Sequence, residues 1–167
     1  MVLTKRLTRM GLLTALALII FIIEAQLPPL VPIPGVKLGL ANIVTVYAMF
    51  ELGPRDTLMI LLCRIFLGSI FAGQMMTFFF SLSGGLLCYV IMLFMRKIVT
   101  EKQIWICSIF GAIGHNIGQI LAAIFFTSTP GLVMYLPVLM ISGIIAGAFT
   151  GFCAQFLLQR ISKRTSI

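Results

Sequence analysis

Long runs without a single charge, interrupted by small basic clusters and by Pro, Gly and Gln, set the pattern of this chain. Cut at those interruptions, it yields six apolar spans, about 7–25, 39–52, 56–72, 76–95, 103–126 and 132–158. A helix needs about 20 residues to cross the hydrocarbon of a bilayer, and outside closed barrels only helices satisfy their own backbone there. The pattern therefore predicts an all-α integral membrane protein, one domain of six transmembrane helices over residues 1–167. The second span is short, with thirteen uncharged residues between Lys37 and Glu51. It is tilted little, extended by Leu38 and Gly53, or partly buried in protein. The uncharged run from Ile65 to Met95 is too long for one helix and divides at Ala72-Gly73-Gln74. The run from Gln103 to Gln159 divides at Thr127-Ser128-Thr129-Pro130-Gly131.

Charge adds direction to this picture. Ten of the twelve Lys and Arg residues fall in four stretches, Lys5/Arg6/Arg9, Arg55, Arg96/Lys97/Lys102 and Arg160/Lys163/Arg164. Six crossings place all four on one side, which by the positive-inside rule is the cytoplasm, together with both termini. Lys37 falls on the opposite side and Arg64 inside the membrane, so these two become the first functional candidates.

With 60% hydrophobic and 10% charged residues and a mean hydropathy of +1.16, the chain has too little polar surface to cover a soluble domain. A net charge of +8 does not imply nucleic acid, because the basic residues sit beside apolar spans and form no single basic face. They set topology and meet anionic headgroups. Ala15-Leu16-Ala17 resembles a signal-cleavage triplet but lies in the middle of the first apolar run, so that helix is expected to stay uncleaved. Cys63, Cys88, Cys107 and Cys153 lie in apolar segments without a Cys-x-x-Cys pair, and there is one His, which disfavours zinc and disulfides. No Walker loop is present, and only four acidic residues occur, without an Asp-Asp pair. Neither nucleotide hydrolysis nor magnesium-dependent diphosphate chemistry has its side chains here, and no Ser-His-Asp set is evident. The expectation is a protein that is not itself an enzyme and carries neither metal nor cofactor.

The segment from Gln26 to Leu38 holds four of the seven prolines, which forbid a helix and leave a stiff, extended loop. Its apolar residues should lie against something, as a flap over a cavity mouth or as a connector packed on helix ends. Arg64 is costly at mid-membrane, about 2.5–3.5 kcal/mol on insertion scales. It either pairs with Glu24 or helix carbonyls, or binds an anionic group in a pocket. His115 and Gln119 fall one turn apart, with Asn116 beside them, either in a ligand site or as a polar lock between helices. Gly143, Gly147 and Gly151 make a stripe suited to close helix packing within the chain. Gly11 and Ala15 make a weaker stripe on the first helix, a docking surface if it faces outward. Phe78, Phe79 and Phe80 either contact lipid or line a cavity.

The segments Pro34–Asn42, Cys63–Gly68, Ser83-Gly84-Gly85 and Gly114–Gln119 resemble the Gx transporter family, also labelled heptaprenyl diphosphate synthase component I. That family in turn looks like the substrate-capture (S) components of energy-coupling-factor (ECF) vitamin importers. The resemblance implies a multi-pass protein of the bacterial plasma membrane with an S-component-like bundle. It would bind a small vitamin-like, quinone-, isoprenoid- or flavin-related molecule from outside, with Lys37, Asn42, Arg64, His115, Asn116 and Gln119 around it. Its partners would be a transmembrane coupling protein and two ATPases, docked through a first-helix surface at Gly11 and Ala15. The alternative is a non-transporting membrane accessory subunit of a prenyl diphosphate synthase or of a flavin-linked redox complex.

Overall fold

The computed structural model describes residues 2–26, 39–73 and 75–165. Among them every regular element is helical: α1 (Val2–Ala25), α2 (Asn42–Glu51), α3 (Pro54–Ala72), α4 (Met75–Met95), α5 (Ile104–Thr127) and α6 (Leu136–Thr165). A 3-10 segment, Pro130–Tyr135, leads into α6. These elements follow the six expected spans closely. The proline-rich loop and Lys37 lie outside the described residues.

Four of the described stretches are long and apolar enough to cross a membrane: Thr4–Ala25, Met75–Met95, Ile104–Thr127 and Pro130–Ile161. The 19-residue α3 carries Arg55, Asp56 and Arg64 and is less apolar. The ten residues of α2 span only about 15 Å at 1.5 Å per residue, half the hydrocarbon thickness. It is instead largely enclosed by protein, with Asn42, Val44, Thr45, Val46, Ala48 and Met49 all buried. Of the three readings of the short second span, burial is the one observed.

Local chemistry explains the breaks. Gly53 takes φ +93° before Pro54 opens α3, where the missing proline donor costs nothing. Gly73 ends α3 in the left-handed region at φ +65°, its N–H bonding the Ser69 and Ile70 carbonyls. Ser128 adopts φ 51° at the end of α5, ahead of Pro130.

Packing is densest along α4, α5 and α6. On one side of α5, a Cβ at Gly118 would come within 2.7 Å of the Ser83 carbonyl oxygen and 2.8 Å of the Gly84 Cα of α4. On the other side, a Cβ at Gly147 of α6 would meet Ile109 Cα at 2.9 Å. The Gly143–Gly147–Gly151 stripe thus packs within the chain, against α5. Hydroxyls tie the same layers: Ser83 donates to the Gly118 carbonyl at 2.8 Å, and Ser108 and Thr150 bond each other at 3.0 Å. All four cysteines are free.

Contacts also bring three of the four basic stretches to one end of the bundle. Arg6 near the start of α1 donates to Asp56 at the start of α3, its Nε to Oδ2 at 2.7 Å. Tyr89 near the end of α4 donates to the Pro54 carbonyl at 3.1 Å. Arg6, Arg55 and Arg96 therefore share an end, and Glu24 stands at the opposite end of α1.

Candidate functional site

Two apolar clusters leave a polar layer between them. One gathers Met49, Leu61, Ile65, Cys88, Met92, Ile104 and Cys107; the other holds Phe80, Ile120, Ala123 and Leu139. Along α4 the order is Phe80, Ser81, Gly84, Cys88; along α5 it is Cys107, His115, Gln119, Ala123. The polar residues fall between the clusters on both helices, which run antiparallel.

In that layer lies a hollow lined by Phe21, Glu24, Gly39, Arg64, Ser81, His115 and Gln119. It contains about 240 Å³ of empty space, open mouth included, and its enclosed part takes about one water molecule. Arg64 and His115 are each 4% exposed and Gln119 is 1% exposed, so all three polar heads are withdrawn into the bundle. Their hydrogen-bonding capacity is not used up. Arg64 Nε and Gln119 Oε1 have no partner, and His115 Nδ1 lies beside Gly84 without a well-formed bond. The hydrogen bond of Arg64 is a long one, 3.5 Å from a terminal nitrogen to Asn42 Oδ1. Buried polar groups are ordinarily satisfied, because each unmet one costs about 1–3 kcal/mol.

Glycines make the hollow possible. Gly39 has φ +80°, and a Cβ there would lie 2.9 Å from Asn42 Nδ2 and 3.1 Å from His115 Cδ2. A Cβ at Gly84 would lie 2.8 Å from the His115 carbonyl oxygen and 2.9 Å from Gln119 Cγ. Gly84→Ala is accordingly expected to force α4 from α5 at the hollow and cost about 1–3 kcal/mol. Gly131→Ala, with nothing within 4 Å, should leave stability unchanged; thermal unfolding of the two variants checks this contrast.

Of the residues singled out in the sequence, Arg64, His115 and Gln119 line the hollow, and Asn42 stands against Arg64. Asn116 turns away, its Nδ2 donating to the Leu139 carbonyl of α6, so it serves the helix–helix lock between α5 and α6. Gly11 and Ala15 are exposed on the outer side of α1, with open space at Gly11. The three phenylalanines divide: Phe79 is exposed and Phe80 is in the core.

Glu24 is the lining residue that sequence reading undervalued, weighing it only as a partner for Arg64. Its carboxylate accepts from the Gly39 N–H on the approach to α2 and acts electrostatically on Arg64. A signal was available: it is the one acidic residue that does not border a basic stretch. Phe21 and Ser81 had no distinguishing mark among similar neighbours.

The fold and hollow define a helical membrane protein with a polar site inside its bundle. The chain belongs to the family described as heptaprenyl diphosphate synthase component I, whose profile matches residues 13–157. No curated protein and no solved structure matches it.

Proposed function

We propose that this chain is a non-catalytic membrane subunit that holds a small molecule in the hollow between α1, α3, α4 and α5 and works beside other proteins. The observation that carries the reading is the convergence of Arg64, His115 and Gln119, deeply buried with hydrogen-bonding atoms unmet. Unmet buried atoms also occur at Asn116 Oδ1 and Gln155 Oε1; what sets Arg64, His115 and Gln119 apart is that all three line the same hollow. The family description supports a component of a prenyl diphosphate synthase. In that setting the chain is the membrane accessory part, and a partner supplies the clustered carboxylates that magnesium diphosphate chemistry needs.

A second reading is favoured by where the hollow lies. It adjoins Glu24, at the end of α1 opposite the collected basic residues. With six crossings, both termini cytoplasmic, and the positive-inside rule, it faces outward in the bacterial plasma membrane. That position suits a substrate-capture subunit of an ECF-type importer, docking through the exposed Gly11 and Ala15. Affinity purification of the tagged chain from its native membrane separates the readings. Recovery of a synthase or flavoprotein supports the accessory subunit, and recovery of a membrane coupling protein with two ATPases supports the importer. Native mass spectrometry of the same sample is expected to show a retained small molecule; a bare chain without partners overturns both.

A further inference from the structure

The half of the bundle toward the basic end carries a second candidate site, independent of the hollow and of the reading built on it. Among the described residues α1 and α6 do not approach each other; both pack on α2, which lies between them. From Asn42 to Phe50 every residue of α2 is buried except Ile43, Tyr47 and Phe50, whose spacing of four and three residues puts them on one face. Ile43 packs against the apolar cluster that holds Ala17 of α1 and also against the one that holds Ala154 of α6, so this face looks out between those two helices. The result is a groove with α1 and α6 as its walls and an apolar floor made by α2.

Depth and charge decide what fits it. α2 runs from Asn42, beside Arg64, to Glu51, next to the Gly53-Pro54 turn at the end where the basic stretches meet, which the positive-inside rule assigns to the cytoplasm. Its length of about 15 Å matches one leaflet of a hydrocarbon core about 30 Å thick. A spanning helix of another protein would find a floor along only half its length, whereas a lipid chain occupies one leaflet. The groove ends at headgroup level in polar groups. Tyr47 senses Glu51 and Arg9 of α1 electrostatically, and Lys5 stands one turn before Arg9 on the same face. Lys5 and Arg9 are both exposed, and against the single Glu51 carboxylate they leave net positive charge there. Basic pockets between helices on the cytoplasmic side bind anionic headgroups, and tyrosine suits the same level.

We infer that the groove between α1 and α6 holds one anionic phospholipid of the cytoplasmic leaflet, with an acyl chain on the face of Ile43, Tyr47 and Phe50 and its phosphate at Lys5 and Arg9. Native mass spectrometry of the full chain, delipidated in detergent and then given phosphatidylglycerol or phosphatidylcholine with identical chains, tests this. One phosphatidylglycerol per chain is expected to be retained at least tenfold more strongly than phosphatidylcholine. Lys5→Gln combined with Arg9→Gln is expected to reduce that preference at least fivefold. Lys97→Gln combined with Lys102→Gln removes the same charge from the connection between α4 and α5 and is expected to leave the preference unchanged. Equal retention of the two lipids would overturn the inference, and so would an equal effect of the two double variants, which would make net charge the cause. A second copy of the chain, or another protein, that occupies the groove and excludes the lipid would overturn it as well. If the Lys5 and Arg9 variant does not fold, the ranking of the two lipids on the unaltered chain decides. None of these outcomes bears on whether the hollow holds a small molecule.

Discussion

Gly118→Val is expected to be strongly damaging, costing about 3 kcal/mol or more, at or beyond the upper end of overpacking penalties. A Cβ at this position meets the Ser83 carbonyl carbon at 2.9 Å and oxygen at 2.7 Å, and Gly84 Cα at 2.8 Å. All three are backbone atoms of α4, so no side chain can swing aside and relieve the clash. The whole of α4 must move, taking with it the Ser83–Gly118 hydrogen bond and the wall of the hollow at Gly84. In a bilayer, where lipid is as apolar as any side chain, close van der Waals packing between helices is much of what holds them together. Marginal stability of about 5–15 kcal/mol leaves little room for such a loss. Gly11→Val is the control, since Gly11 faces open space on α1. Gel filtration of the solubilised variants, with unfolding in denaturing detergent, should show Gly118→Val largely aggregated and Gly11→Val indistinguishable from the parent. A stable, monodisperse Gly118→Val would mean that α4 and α5 are not packed as described.

What was legible in the sequence followed from solvent physics. Charges cannot lie freely in hydrocarbon, so the uncharged runs marked the helices, and Gly73 and Pro130 marked the turns within runs too long for one helix. Arg64, His115 and Gln119 were visible for the same reason, being polar where polarity is costly. Side-chain direction was less accessible. Asn116 and His115 are adjacent, yet a 100° step around α5 sends the first to Leu139 of α6 and the second into the hollow. Glu24 was hidden by its place near the end of a span, where an acidic residue normally meets water. Only folding turns it inward beside Gly39, and with it the charge balance of the site changes.

Arg64 separates a binding role from a structural one, because the two predict opposite patterns in stability and affinity. Its hydrogen bond is the 3.5 Å contact to Asn42, its Nε is unpaired, and it is 4% exposed. A guanidinium so thinly bonded recovers little of the cost of being buried. Arg64→Met, similar in length and apolar, removes that cost and forfeits one long hydrogen bond and the electrostatic attraction of Glu24. These changes oppose each other, so the thermal midpoint is expected to shift by only a few degrees, about 1 kcal/mol in either direction. Binding should respond differently. On the ligand-holding reading, loss of the guanidinium from the hollow is expected to weaken affinity at least tenfold, which corresponds to about 1.4 kcal/mol. Thermal unfolding paired with ligand titration of the parent and Arg64→Met checks both halves. A variant that unfolds readily yet, where folded, binds as the parent does would make Arg64 a strut between α3 and α2. It would also leave His115 and Gln119 to account for the hollow by themselves.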